Sequence, residues 1–357
     1  MEGERRMLRR SEWLTMVAAV AGCVATGVLS WVGANAVVRF AAAGVSLALL
    51  AALVGQATEQ IGGRLGPAAT GIFQSALGNL PELFVGIFAL RAGLVEVVQA
   101  SLVGSILGNS LLVLGLAFLV GGLRHGPQHF ASAPPRTIAT LTLLAVSALA
   151  VPTLVDGLHT PAKQHADALS VACAVVLLIV FAASILCALT GAPVVPPKPE
   201  AAAGGWSMAL AVGVLAGAGI GAALVSDWFV TALRPAASAL GLSHAFTGLV
   251  VVGLAGNAVE NVVGVQMAAR NQPDYAVSLI LNSSLQVALA LGPVLVLLSF
   301  VIGGAHLTLV LPGLLLAALA LAGILGAFVV SDGESTWLEG IILIGLYGII
   351  AAAFWWG

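Results

Sequence analysis

The sequence predicts an all-α polytopic membrane protein of about eleven transmembrane helices, built as a 5+5 inverted repeat plus one N-terminal helix. Three observations carry that prediction. Of 357 residues, 60% are hydrophobic and only 8% charged, against roughly 25% charged in a soluble domain, and the mean hydropathy is +1.09. The apolar residues form continuous runs of about 20 or more, long enough to cross a bilayer as helices. The third is an internal repeat, described below. A water-soluble globule is excluded, and so is a transmembrane barrel, whose strands would alternate with period two. The net charge of −2 gives no reason to expect a nucleic-acid partner; the surrounding partner is membrane lipid.

Read from polar break to polar break, the spans fall at about 13–33, 35–60, 67–91, 94–121, 136–155, 166–190, 206–238, 245–269, 274–300, 307–330 and 337–356. The first follows Arg5, Arg6, Arg9 and Arg10, but it is too long for a signal-peptide core and no clean cleavage site follows, so it counts as a span. Residues 191–205 (GAPVVPPKPEAAAGG) cannot continue a helix and form a linker. The organisation is therefore 1–33, tail and extra helix; 34–190, first repeat; 191–205, linker; 206–357, second repeat. Nine basic residues fall on the face of the N-terminus and four on the other (Arg39, Arg91, Lys163 and Arg234), which puts the N-terminus inside. Trp31, Trp206, Trp337, Trp355 and Trp356 sit at run ends, as an interfacial aromatic belt would. Cys23, Cys173 and Cys187 lie within apolar runs without a CxxC and read as small buried residues. The six histidines fall in or beside the polar breaks and read as loop residues, not as a metal cluster.

Displaced by 178 (256 minus 78), the chain aligns on itself without gaps from Gly78 to about Leu111. Gly78, Asn79 and Glu82 fall on Gly256, Asn257 and Glu260; Val85 and Gly86 on Val263 and Gly264; Ser105 and Leu107 on Ser283 and Leu285. Each residue and the one 178 positions on are called mates below. Five helices per repeat is an odd number, so the second repeat inserts upside down relative to the first.

Of fifteen acidic residues, only Glu82 and Glu260 sit near the middle of a span, and they are mates. A carboxylate at that depth costs about 2.5 to 3.5 kcal/mol or more, so two at equivalent positions point to function rather than to stray charges. Gly78-Asn79 and Gly256-Asn257, with Pro81 in the first repeat, loosen or break a membrane helix and free carbonyls to face a cavity. Asn79 and Glu82, and likewise Asn257 and Glu260, share a helix face. Ser105 and Asn109, then Ser283, Ser284 and Gln286, add neutral oxygens. Such residues also glue membrane helices together, and for any one of them that role stays open. Two carboxylates with amide, hydroxyl and backbone oxygens, and no thiolate or imidazole, suit calcium better than zinc or copper; sodium also fits part of the set.

GNLPELFVGIFALRAGLVEVVQASLVGSILGNSLLVLG (78–115) and GNAVENVVGVQMAARNQPDYAVSLILNSSLQVALALGP (256–293) resemble the two α-repeats of the calcium/proton exchangers, a branch of the calcium:cation antiporter superfamily. GQATEQIGGRLG (55–66) resembles that family's segment before the first repeat. The resemblance implies a ten-helix core plus one helix, with Glu82 and Glu260 carrying cation and proton and Asn79, Ser105, Asn109, Asn257, Ser283 and Gln286 in support. It also implies a secondary antiporter with calcium and protons as transported ions, no further cofactor and no catalytic residues. The chain departs from the family at Pro81 (usually Thr), Asn261 (usually His) and Asn282 (usually Gly), which leaves the coupling ion open between proton and sodium. With only Glu200 acidic in the linker, no regulatory calcium site is expected there. Of two other classes, an intramembrane enzyme using the acidic pair as acid and base has no need of two oppositely oriented half-sites, whereas alternating access does; a cation channel lined by the pair would differ from an exchanger in passing current without a counter-ion. The setting expected is a bacterial-type inner membrane; a homo-oligomer is compatible with the sequence.

Overall fold

The computed structural model describes residues 10–65, 77–190 and 205–355. Their backbone polar groups are satisfied almost entirely within helices, as lipid requires. The helices are α1 (Arg10–Trp31), α2 (Ala36–Leu65) and α3 (Leu80–Arg91), then α4 (Val95–His125), α5 (Ala133–Gly157) and α6 (Ala166–Thr190). After the linker come α7 (Met208–Ala239), α8 (His244–Gly256), α9 (Ala258–Ala269), α10 (Pro273–Ser299), α11 (Gly313–Val329) and α12 (Trp337–Trp355). Among the described residues, eight helices are long and apolar enough to span a bilayer, or nine if the bent pair α8–α9 is one span. The expected span 67–91 falls partly on residues 66–76, outside the described residues.

The expected span 307–330 needs correction, because its helix starts only at Gly313 and has 17 residues. Pro312 disfavours a helical residue before it, and the stretch 305–311 is non-helical and clamped by side chains. Leu307 N–H donates to Ser299 Oγ, Leu309 N–H to Ser170 Oγ and Leu311 N–H to Thr153 Oγ1, while Gln99 Nε2 donates to the carbonyls of Thr308 and Val310.

The chain divides into two compact units that do not follow the sequence halves. The first holds α1, α2, most of α3 and α7. Here α2 and α7 run antiparallel: Phe40 stacks on Phe229 with centroids 4.5 Å apart, Leu50 meets Gly221, and Ala57 and Ile61 pack with Trp206 and Ala211. The extra helix α1 lies on both, with Thr26 Oγ1 2.9 Å from Ser46 Oγ and Gly27 against the Trp228 ring. Trp206 is no belt residue: it is 2% exposed. Its indole N–H donates to Glu12 Oε2 (3.0 Å), its backbone N–H to Gln60 Oε1 (3.2 Å), and its carbonyl accepts from Arg64. Trp31, Trp337 and Trp355 are exposed, as a lipid-facing belt requires, and Trp356 lies outside the described residues. The cysteines also differ from expectation, since Cys23 and Cys173 are half-buried and Cys187 exposed on helix faces.

The second unit holds the end of α3, α4–α6 and α8–α12. An alternating eleven-span path would put connections 122–135, 270–273 and 331–336 on one face, and 92–93, 156–165, 239–244 and 301–306 on the other. Contacts within the unit respect that partition. On one face Ala131 N–H donates to Asp274 Oδ1 (2.7 Å) and Gln128–His129 pairs antiparallel with Glu334–Ser335. On the other, Ala305 N–H donates to the Leu90 carbonyl (3.3 Å), His306 meets Asp167 (3.4 Å), and Ser243 Oγ donates to the Phe354 carbonyl (2.6 Å).

Candidate functional site

The expected helix breaks are present. Gly78 and Asn79 form a turn before α3, and Asn257 (φ −91°, ψ 10°) separates α8 from α9, which diverge by 65°. The two breaks have the same construction: Leu83 N–H donates to the Asn79 carbonyl and Asn261 N–H to the Asn257 carbonyl, both at 2.9 Å. Each asparagine therefore directly precedes a half-helix whose first turn carries the glutamate, Glu82 in α3 and Glu260 in α9. A helix N-terminus favours negative charge. Pro81 is the second residue of α3, where a missing N–H costs no helix bond.

Around Glu260 the second unit builds a closed polar cluster. Ser105 Oγ on α4 donates to the Gly253 carbonyl on α8 (3.1 Å), and Asn257 Nδ2 donates to the same carbonyl (3.4 Å). Ser283 Oγ on α10 donates to Asn257 Oδ1 (3.0 Å) and stands within hydrogen-bonding reach of the Glu260 carboxyl. Glu260 keeps some exposed surface as a residue, but its Oε2 is shielded and has no hydrogen-bond partner among the described residues. Asn109 and Gln286 are buried on α4 and α10, and Asn109 Nδ2 has no partner among the described residues. Asn79 and Glu82 belong to the first unit; Asn79 is buried and both Glu82 carboxylate oxygens are shielded from the surface.

Glycine brings α4 and α8 close enough for the Ser105 bond. A Cβ added at Gly104 would lie 2.0 Å from the Leu249 carbonyl oxygen, and one at Gly253 would lie 2.7 Å from the Gly104 carbonyl carbon. The third side of the cluster joins α4 to α10: Ser110 Oγ lies 3.1 Å from Ser284 Oγ, which also donates to the Ile106 carbonyl at 3.4 Å. Ile106 and Ser284 are mates, 178 residues apart, and mates touch only beside the axis relating the repeats. Both helices turn π-helical there, over Gly108–Val113 in α4 and Val287–Leu291 in α10. The first range displaced by 178 is 286–291, so the bulges are themselves mates. A third π segment, Thr247–Val252 in α8, has its mate range 69–74 outside the described residues.

Sequence reasoning did not single out Ser110 or the Gly253 carbonyl. Ser110 sits in an apolar run, and its orientation depends on the π turn. No group of three or more His, Cys, Asp and Glu side chains is placed to hold a metal ion among the described residues. What the cluster offers a cation is hydroxyl, amide, carbonyl and carboxylate oxygen, the hard donors that alkaline-earth ions take.

The profile of the family described as Sodium/calcium exchanger protein matches residues 35–190 and again 210–356, one match in each predicted repeat. The chain belongs to that family. Members similar to it include the Ca2+/H+ antiporter of Synechocystis, 36% identical over 344 residues that cover 91% of this chain and 92% of the relative. The Ca2+/H+ antiporter ChaA of Bacillus subtilis is 33% identical over 361 residues, covering 97% and 99%. The solved structure of native YfkE has a TM-score of 0.81 at 30% identity, covering 96% of this chain and 99% of that one. The crystal structure of the H+/Ca2+ exchanger CAX, at 16% identity, has a TM-score of 0.75 and covers 97% and 92%; that likeness is one of fold.

Proposed function

We propose that this chain is a secondary antiporter exchanging calcium for protons by alternating access, with Glu82 and Glu260 as the groups that hold either ion. The observation carrying the reading is near-full-length similarity, at 33% and 36% identity, to proteins named Ca2+/H+ antiporters. The hard-oxygen cluster around Glu260 supports it from the chain's own chemistry. Asn79, Ser105, Asn109, Asn257, Ser283 and Gln286 supply neutral oxygens, and the glutamates supply the charge. Uncompensated charge does not cross an apolar core cheaply, so the conformational step is fast when the two carboxylates are neutralised by one dication or by two protons. Calcium and protons then compete for the same oxygens and travel in opposite directions without a separate coupling device. The membrane is a bacterial-type inner membrane, with the N-terminus and linker inside.

The test is calcium uptake into sodium-free proteoliposomes with an acid interior. Uptake that follows the imposed pH difference and stops when that difference is dissipated supports proton coupling. The Leu80-Pro81-Glu82-Leu83 string keeps a sodium-coupled exchanger as the second reading. Uptake at uniform pH that requires a sodium gradient would establish it and reject the proton assignment.

A further inference from the structure

We propose that Ser110 and Ser284 are positioning residues for the cation site: their hydrogen bond braces α4 against α10 and sets how sharply the site discriminates among divalent cations. This rests on the transport reading above. Three elements surround the cluster in the second unit, and each pair is joined by side-chain hydrogen bonds. Ser105 joins α4 to α8 through the Gly253 carbonyl, and Ser283 joins α10 to Asn257 at the α8–α9 break. Both of those sides use residues that also offer oxygens to the cation. The third side runs from Ser110 to Ser284, which the sequence also offered as a neutral oxygen, and on to the Ile106 carbonyl; both hydroxyls are committed to that link. It works as a strut alone.

Its placement gives the strut leverage. Ser110 directly follows Asn109 and Ser284 directly follows Ser283, so a change in spacing or rotation of either helix moves a site oxygen with it. Ser110 also lies inside the π segment Gly108–Val113, where the wider turn rotates later side chains away from an α-helical path. Both hydroxyls are buried, at 4% and 0% exposure, so water does not replace the bond when it breaks. Lipid supplies little hydrophobic force between helices, and packing and polar contacts must hold their register. Selectivity among divalent ions depends on cavity size and rigidity as well as on donor type. A loosened third side therefore leaves the donors in place but their spacing soft.

The experiment measures initial rates of pH-driven calcium uptake, with strontium and manganese as competitors, for wild type, Ser110→Ala, Ser284→Ala and the double variant. The expected result is a rise in calcium KM of about three- to tenfold, the range set by one interhelical hydrogen bond, with kcat little changed. The preference for calcium over the competitors should shrink by a similar factor. The double variant should be no worse than the worse single one, because Ser284→Ala already removes the bond that Ser110→Ala removes. Ser110→Cys/Ser284→Cys, in a background lacking the native cysteines, tests the strut within one folded protein: oxidation should restore the selectivity that reduction removes. Unchanged KM and cation order in both alanine variants, or identical behaviour of the oxidised and reduced cysteine pair, would overturn the proposal. Wild type run alongside separates the failures, since a wild-type chain without calcium exchange refutes the transport reading itself.

Discussion

At Ser283 a single hydroxyl proton faces two acceptors, Asn257 Oδ1 at 3.0 Å and the Glu260 carboxyl. Removing it strands buried oxygens, at about 1–3 kcal/mol, so Ser283→Ala should lower apparent calcium affinity roughly tenfold. Ser278 makes the contrast on the same helix. Its Oγ is buried with no partner among the described residues, so Ser278→Ala should leave affinity unchanged and leave the unfolding midpoint in detergent equal or higher. A lowered midpoint for Ser278→Ala would mean the hydroxyl is satisfied after all. Glu82 and Glu260 stand apart from both serines, because Gln keeps their size and removes the ionisable charge. Each Glu→Gln change should reduce exchange to background in a protein that still elutes as folded.

The helices α4 and α8 approach where Gly104, Gly248 and Gly253 leave no side chain between them. Gly104→Ala forces a Cβ onto a backbone carbonyl that cannot move aside, a strain of about 1–3 kcal/mol, and should lower the unfolding midpoint and abolish exchange. Gly213→Ala on α7 meets nothing within 4 Å and should be neutral or slightly stabilising. An unchanged Gly104→Ala protein would contradict the close crossing. The Gly-Asn breaks and the glutamate in each following first turn were legible in the sequence, because Gly, Asn, Pro and a lone mid-span carboxylate are strong local signals. The non-helical stretch 305–311 was not legible, because its backbone is satisfied by Gln99, Thr153 and Ser170, residues more than 130 positions away in sequence. Trp206 was misread for the same reason: its three polar groups are met by Glu12, Gln60 and Arg64 on distant helices. The π turns carry no sequence signal that separates them from the α-helix around them.

For the molecule as a whole, the inverted repeat was visible in the spacing of mates, and the structure adds an Ile106–Ser284 contact between mates and a matched pair of π bulges. Such a repeat requires the two sets of connections to face opposite sides of the membrane. His129 and His306 belong to opposite sets and both side chains are well exposed, so cysteines placed there, without the native three, should react with an impermeant thiol reagent from opposite faces. Reaction of both from one face would break the alternating path. The exchange itself is tested by loading proteoliposomes with a pH dye, clamping the potential, omitting sodium, and imposing an inward calcium gradient. Wild-type protein should move protons outward as calcium enters, in amounts that rise with the calcium imposed, while Glu82→Gln and Glu260→Gln each give the trace of empty liposomes. Calcium entry with no proton movement in the wild type, or proton movement that survives in either glutamine variant, would contradict exchange at these two carboxylates.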